Sequence, residues 1–468
     1  MAKLSSKIVH IVSGDILSKG FGFLLTIYLT RALGAEGFGL VTVAMAYLGY
    51  AVFFADFGLF TIGTREVAKQ NRERVFSVLV IFKARITMAI SVFVIAWFAL
   101  PLLISNSEQL SLTRGYIFAL LVHAFLMEWY FNGKQKYYIT SISRILSTGI
   151  YVIGAILLVK TSADLQKLPI FYVIGFFIST VLLLLIASRD KPFKEEKNKT
   201  SKTFSNLITS ASSVGSGLLL AQVVQLLPPI MIGIYISTSD AGFYGAAYRL
   251  IIIGMLVDRL FVQLLIPNLA KQWSENKDRA QTNMEHTSRF MLSIGALLSL
   301  FIAIGGTEIS IFLFGDEFQD SGPIIVALSL FLFFTFQNSI FSHGLVAIGK
   351  DVEFMKATSY GGMISILLIV LSSMYFNSII VGLAVALGEL SITLLCFNRF
   401  RKSLSFNFIV PLLITLTFGI VIYVGSTYLN LNDISKAFLS SIIMGSILVG
   451  IRVLRVKDLK WIKQIMFK

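Results

Sequence analysis

The chain has 468 residues, 56% of them hydrophobic and only 14% charged, with a formal net charge of +15. A soluble domain carries about 25% charged residues, so the composition excludes a soluble enzyme or a nucleic-acid-binding domain, and the basic excess reads first as a topology signal. One cysteine, Cys396, excludes an intrachain disulfide or a cysteine metal cluster.

The apolar residues fall in repeated blocks of about 20, the length a helix needs to cross ~30 Å of hydrocarbon. The first block, 8–30, reads IVHIVSGDILSKGFGFLLTIYLT. It is longer than a signal-peptide core and is expected to remain as helix 1. Lys19 lies about 17 Å into it, near the midplane. Asp15 precedes Lys19 by one helical turn on the same face, in the favourable acid-first order for an ion pair. The second span, 38–62, carries Asp56. The third, 78–104, carries Lys83 and Arg85 near its start, where long basic side chains can snorkel to the headgroups. Span 113–132 holds His123, which reads as a packed core histidine. It also holds Glu128, a structural acid beside the interfacial Trp129 and Tyr130. Span 138–160 carries Arg144, and 169–188 completes the first set.

A hydrophilic break follows, RDKPFKEEKNKTSK at 189–202. The second set is expected at 207–235, 243–266, 288–312, 323–345, 355–376 and 379–398, with further spans at 407–429 and 434–454. Span 243–266 carries Arg249, Asp258 and Arg259, and span 379–398 carries Glu389. The domain plan is a six-helix lobe over 1–188, a basic cytoplasmic linker over 189–206, a second six-helix lobe over 207–400, and a two-helix hairpin with a basic tail over 401–468. With the N-terminus placed in the cytoplasm, most of the 40 Lys and Arg residues fall on the cytoplasmic side. Only Arg31, Arg114, Lys160, Lys167 and Lys436 fall outside. That bias supports fourteen spans with both termini cytoplasmic.

The halves echo each other in order: AEGFG (35–39) with DAGFYG (240–245), VAKQ (67–70) with LAKQ (269–272), and NGKQKYY (132–138) with IGKDVEF (348–354). Each pair falls on one side of the membrane, which predicts two parallel six-helix repeats, a transporter plan with the substrate held between them.

Ionisable residues at membrane depth are costly and usually line a cavity or meet a partner. Lys19, Lys83, Arg85, Arg144, Arg249 and Arg259 form a candidate cationic lining for an anionic headgroup, Arg gripping phosphate as a planar fork and Lys as a point charge. Asp15, Asp56, Asp258 and Glu389 are the candidate counter-ions, or sites that exchange H+ or Na+. For each of these residues the alternative is a permanent polar contact that only locks helix packing. No cofactor or bound metal is expected, and no phosphate-loop, HExxH or GxSxG motif is present, so the chain does not read as an enzyme.

RALGAEGFG (31–39), TREVAKQ (64–70), EWYFNGKQK (128–136), SDAGFYGAAYR (239–249) and LFGDEFQDSGPII (313–325) resemble the polysaccharide-transporter flippases. Their superfamily also holds multidrug extruders and peptidoglycan-precursor flippases. The resemblance runs from helix 1 to about residue 400. It implies a monomeric transporter in the bacterial inner membrane that moves an undecaprenyl-linked oligosaccharide, such as an O-antigen unit, from the inner to the outer leaflet by alternating access. It also implies partnership with membrane lipids and with polysaccharide polymerase or ligase machinery. Many members of that branch have twelve spans rather than fourteen. The alternative on the same fold is a cation-coupled multidrug exporter.

Overall fold

A computed structural model of the protein describes residues 2–69, 75–190, 204–401, 408–455 and 457–458. Among these residues the secondary structure is helical, without a strand. The chain groups into two compact units, Met1–Ile234 and Tyr235–Lys468.

The first unit contains α1 (Ala2–Asp56), α2 (Leu59–Ala68), α3 (Val78–Leu103), α4 (Ser107–Ile117), α5 (Ala119–His123), α6 (Glu128–Gly133), α7 (Tyr137–Leu158), α8 (Leu168–Arg189) and nearly all of α9 (Phe204–Tyr235). Helix α9 therefore groups with the first unit, although the break at 189–206 is the lobe boundary expected from composition. Two expected spans, 8–30 and 38–62, merge into α1, which turns at Gly34 (φ 69°, ψ −176°). The expected span 113–132 is broken into α4, α5 and α6. Helix α1 packs against α3, α4 and α7, and α7 against α8.

The break between α1 and α2 positions the site. Phe57 and Gly58 are both left-handed, at φ 33° and 94°. A Cβ on Gly58 would lie 2.5 Å from the Ala211 carbonyl oxygen of α9. Glycine thus permits both the turn and the close approach. Tyr50 Oη donates to the Val223 carbonyl at 2.9 Å and holds α9 along α1.

The second unit contains the remainder: α10 (Thr238–Glu275), α11 (Lys277–Phe314), α12 (Ser321–Ala347), α13 (Asp351–Tyr375), α14 (Ser378–Phe400), α15 (Ile409–Ser426) and α16 (Asp433–Gly450). Helix α12 is its core, packed by α10, α11 and α14 and burying Phe331, Phe333, Phe334, Phe336 and Phe341. The final hairpin, α15 and α16, packs on α11. Helix starts follow side-chain capping rules: Ser77, Asn106, Ser237, Asn276, Asn377 and Asn432 each accept a backbone N–H of the first turn.

Two of the connectors compared in the sequence share a local backbone motif. Lys136 N–H donates to Phe131 O at 2.9 Å, and Lys350 N–H to Leu345 O at 2.8 Å. The preceding residues, Gln135 and Gly349, are left-handed at φ 57° and 75°. Both are the same helix C-terminal motif. It pairs Lys136 with Lys350, two residues away from the register that matches NGKQKYY to IGKDVEF.

Among the described residues, eleven helices are long and apolar enough to cross a membrane, and the chain is a multi-pass, all-α membrane protein. Ten of these helices each overlap one expected span, and α1 overlaps two, 8–30 and 38–62. Of the other two expected spans, 113–132 is divided among α4, α5 and α6, and 243–266 lies on α10.

Candidate functional site

A cavity of about 700 Å³ lies within the first unit. Lys19, Phe53 and Asp56 of α1, Phe60 and Thr61 of α2, and Arg85 of α3 line one part of it. His123 of α5, Glu128 of α6, Arg144, Ser147 and Thr148 of α7, Phe176 of α8, and Gln222 and Gln225 of α9 line the rest. Three of the expected cations therefore share one cavity: Lys19, Arg85 and Arg144.

Arg85 and Arg144 are each paired directly with an acid. Arg85 Nη1 contacts Asp56 Oδ1. Asp56 also accepts the Phe60 N–H, at 3.1 Å and 3.2 Å from its two oxygens. The acid at the end of α1 thus holds the first turn of α2 and the α3 guanidinium together, across the turn that Phe57 and Gly58 make. Arg144 donates from Nε at 3.0 Å and from Nη2 at 2.8 Å to the same oxygen, Glu128 Oε2. Glu128 is buried, and the fork from Arg144 supplies the charge-assisted bonds that a buried carboxylate needs.

Other expected residues lie elsewhere. Lys83 is exposed and does not line the cavity. It stands two residues from Arg85, and at 100° per residue such neighbours face opposite sides of a helix. The Asp15 side chain lies outside the described residues, so the Asp15–Lys19 pair does too. Arg249 and Arg259 are exposed on α10 in the second unit.

The second unit brings Asp258 and Glu389 to two consecutive residues of α12. Ser339 Oγ donates to Asp258 Oδ2 at 2.7 Å, and Asn338 Nδ2 to Glu389 Oε1 at 2.7 Å. Asp258 is 5% exposed, and its Oδ1 has no hydrogen-bond partner among the described residues. No group of three or more His, Cys, Asp or Glu side chains suited to a metal occurs among the described residues.

His123 and Glu128, which read from the sequence as structural residues, both line the cavity. Glu128 could have been found by noting that Arg144 lies on the next span, a similar distance from the same membrane end. Gln222 and Gln225 went unremarked in LLLAQVVQLLPP because they carry no charge. Their signal is a spacing of three residues, which puts both amides on one helical face.

Comparison with known proteins gives a consistent family. The family model described as polysaccharide biosynthesis protein matches residues 4–273. A Haloferax volcanii protein assigned as low-salt glycan biosynthesis flippase Agl15 is 22% identical over 401 residues, covering 82% of this chain and 80% of its own. An Escherichia coli (strain K12) protein assigned as an O-antigen transporter is 21% identical over 405 residues, covering 82% of this chain and 95% of its own. Among solved structures, the inward closed conformation of the lipid II flippase MurJ superposes with a TM-score of 0.72 at 16% identity. That match covers 94% of this chain and 98% of the other.

Proposed function

Because the chain belongs to the polysaccharide biosynthesis protein family, whose relatives compared above are flippases and transporters rather than enzymes, we propose that it flips a lipid-linked glycan across the membrane. The substrate is an undecaprenyl (pyro)phosphate carrying an O-antigen or other surface-glycan unit. It is moved from the inner to the outer leaflet of the bacterial inner membrane by alternating access, with both termini in the cytoplasm. The observation that carries this reading is the convergence of Lys19, Arg85 and Arg144 on one cavity. Cations in a low-dielectric cleft attract and hold a phosphate. In the empty state Asp56 and Glu128 occupy the guanidinium donors that phosphate oxygens would take over.

Transport is coupled to H+ or Na+. Asp258 and Glu389 are the proposed exchange sites: Asp258 is buried with one carboxyl oxygen lacking a hydrogen-bond partner among the described residues, which gives it a reason to take up a cation or proton, and Glu389 is bonded to the neighbouring Asn338. The multidrug alternative fits less well, because a cationic drug would meet the Lys19, Arg85 and Arg144 charges. Deletion of the gene is expected to strand lipid-linked repeat units on the cytoplasmic face and to remove surface glycan without changing drug susceptibility. Normal surface glycan in a deletion strain that has no second flippase overturns the proposal.

A further inference from the structure

In the cavity of the first unit the charged and neutral polar side chains are arranged differently. Arg85 and Arg144 already contact Asp56 and Glu128. The amides of Gln222 and Gln225 make no hydrogen bond among the described residues, nor does the Thr148 hydroxyl, yet all three line the same space. Gln222 is half-buried and Gln225 exposed, so a ligand in the cavity can reach both. Each amide offers two N–H donors and a carbonyl acceptor. An anion uses only the donors and a cation only the acceptor. A sugar hydroxyl both donates and accepts, so it uses the whole set. Phe53 and Phe176 also line the cavity, giving the apolar faces that a pyranose ring presents its C–H groups to, as in ligand pockets that combine aromatic walls with a few placed polar groups.

We propose that Gln222, Gln225 and Thr148 form a saccharide subsite in the cavity that also holds the cationic pairs. The assignment rests on the lipid-linked glycan reading and deepens it: the cations take the phosphate and the α9 amides read the first sugar. The subsite selects neutral, hydroxyl-rich headgroups over the bare lipid phosphate. It thereby keeps the carrier lipid itself from competing for the cavity.

The test is equilibrium binding to the full-length protein in lipid nanodiscs. The two probes are undecaprenyl diphosphate and the same lipid bearing one N-acetylhexosamine. The wild-type protein is expected to prefer the sugar-bearing probe by about tenfold, the effect of a few well-placed hydrogen bonds. Q222M/Q225M, which keeps side-chain length and removes the amides, is expected to bring that ratio close to one. T148V lowers the ratio by a smaller factor, and it serves as the test if the double variant fails to fold. A wild-type protein without preference, or a preference that survives in every folded variant, overturns the subsite. Absence of binding to either probe by the wild-type protein overturns the lipid-linked reading itself, and the subsite with it.

Discussion

Asp56 joins two elements through one side chain: it pairs with the Arg85 guanidinium of α3 and accepts the Phe60 N–H at the start of α2. The pair stands at the chain turn where α1 ends, with side-chain exposures of 27% for Asp56 and 11% for Arg85. Removing only one partner leaves a poorly hydrated charge behind, which costs more than removing both. Arg85→Ala is expected to destabilise the protein by about 1–3 kcal/mol. The double change with Asp56→Ala should cost less than the sum of the singles, with a coupling of about 0.5–3 kcal/mol. Thermal unfolding of the four proteins of this cycle in detergent measures the coupling, and strict additivity contradicts the pairing.

Gly58 is expected to be intolerant of any side chain. Its left-handed conformation alone penalises an L-residue by about 1–2 kcal/mol. A Cβ there also meets the Ala211 carbonyl at 2.5 Å and the Gly215 nitrogen at 3.0 Å. Gly58→Ala should therefore lower the unfolding temperature and the yield of folded protein. By contrast Gly20, whose added Cβ has nothing within 4 Å, should accept alanine without loss.

The Arg144 fork distinguishes arginine from lysine. Nε and Nη2 both reach Glu128 Oε2, and a lysine ammonium supplies one point charge in place of that planar fork. Arg144→Lys is expected to weaken binding of undecaprenyl diphosphate by about tenfold, or 1.4 kcal/mol. Lys83→Ala removes a base that does not line the cavity and should change binding by less than about twofold. Equal effects of the two substitutions would contradict the geometry.

Acid stability has an identifiable contributor outside the spans. Asp190 accepts from Lys134 Nζ at 2.8 Å and from Lys136 Nζ at 3.3 Å. The Lys134 bond, opposed by partial burial and aided by Lys136, holds the Asp190 carboxyl below its ordinary range. A folded-state value below the unfolded one means stability that is fully present above the unfolded pKa of about 3.9 and is lost as pH falls through the folded value. Wild-type protein should thus lose unfolding temperature more steeply than Asp190→Asn as pH falls below about 4. Coincident pH profiles of the two proteins would contradict this contribution.

Much of the fold was legible because membrane spans advertise themselves by length and apolarity. Ten of the eleven apolar helices each overlap one expected span, and α1 overlaps two. Lys19, Arg85 and Arg144, three of the cations expected from their place in the spans, line one cavity. What stayed illegible depended on helix rotation and local breaks. Lys83 and Arg85 look equivalent in sequence, yet their two-residue spacing sends them to opposite faces. The break of 113–132 into three helices has no proline to announce it. The turn at Phe57 and Gly58 lies where α9 packs against the chain at Ala211 and Gly215, a tertiary contact that the glycine alone does not announce. Gln222 and Gln225 carry no charge, so membrane depth and charge do not single them out.

The central claim, that the cations of the first-unit cavity carry a lipid-linked glycan across the membrane, is tested most directly by reconstitution. Purified protein in liposomes is given a fluorescent undecaprenyl-diphosphate oligosaccharide, and its exposure in the opposite leaflet is followed with a membrane-impermeant glycan-modifying reagent. Translocation by the wild-type protein, with at least a tenfold loss in folded R85A/R144A, is the predicted result. Equal translocation by the wild-type and R85A/R144A proteins, or none above protein-free liposomes, would contradict it.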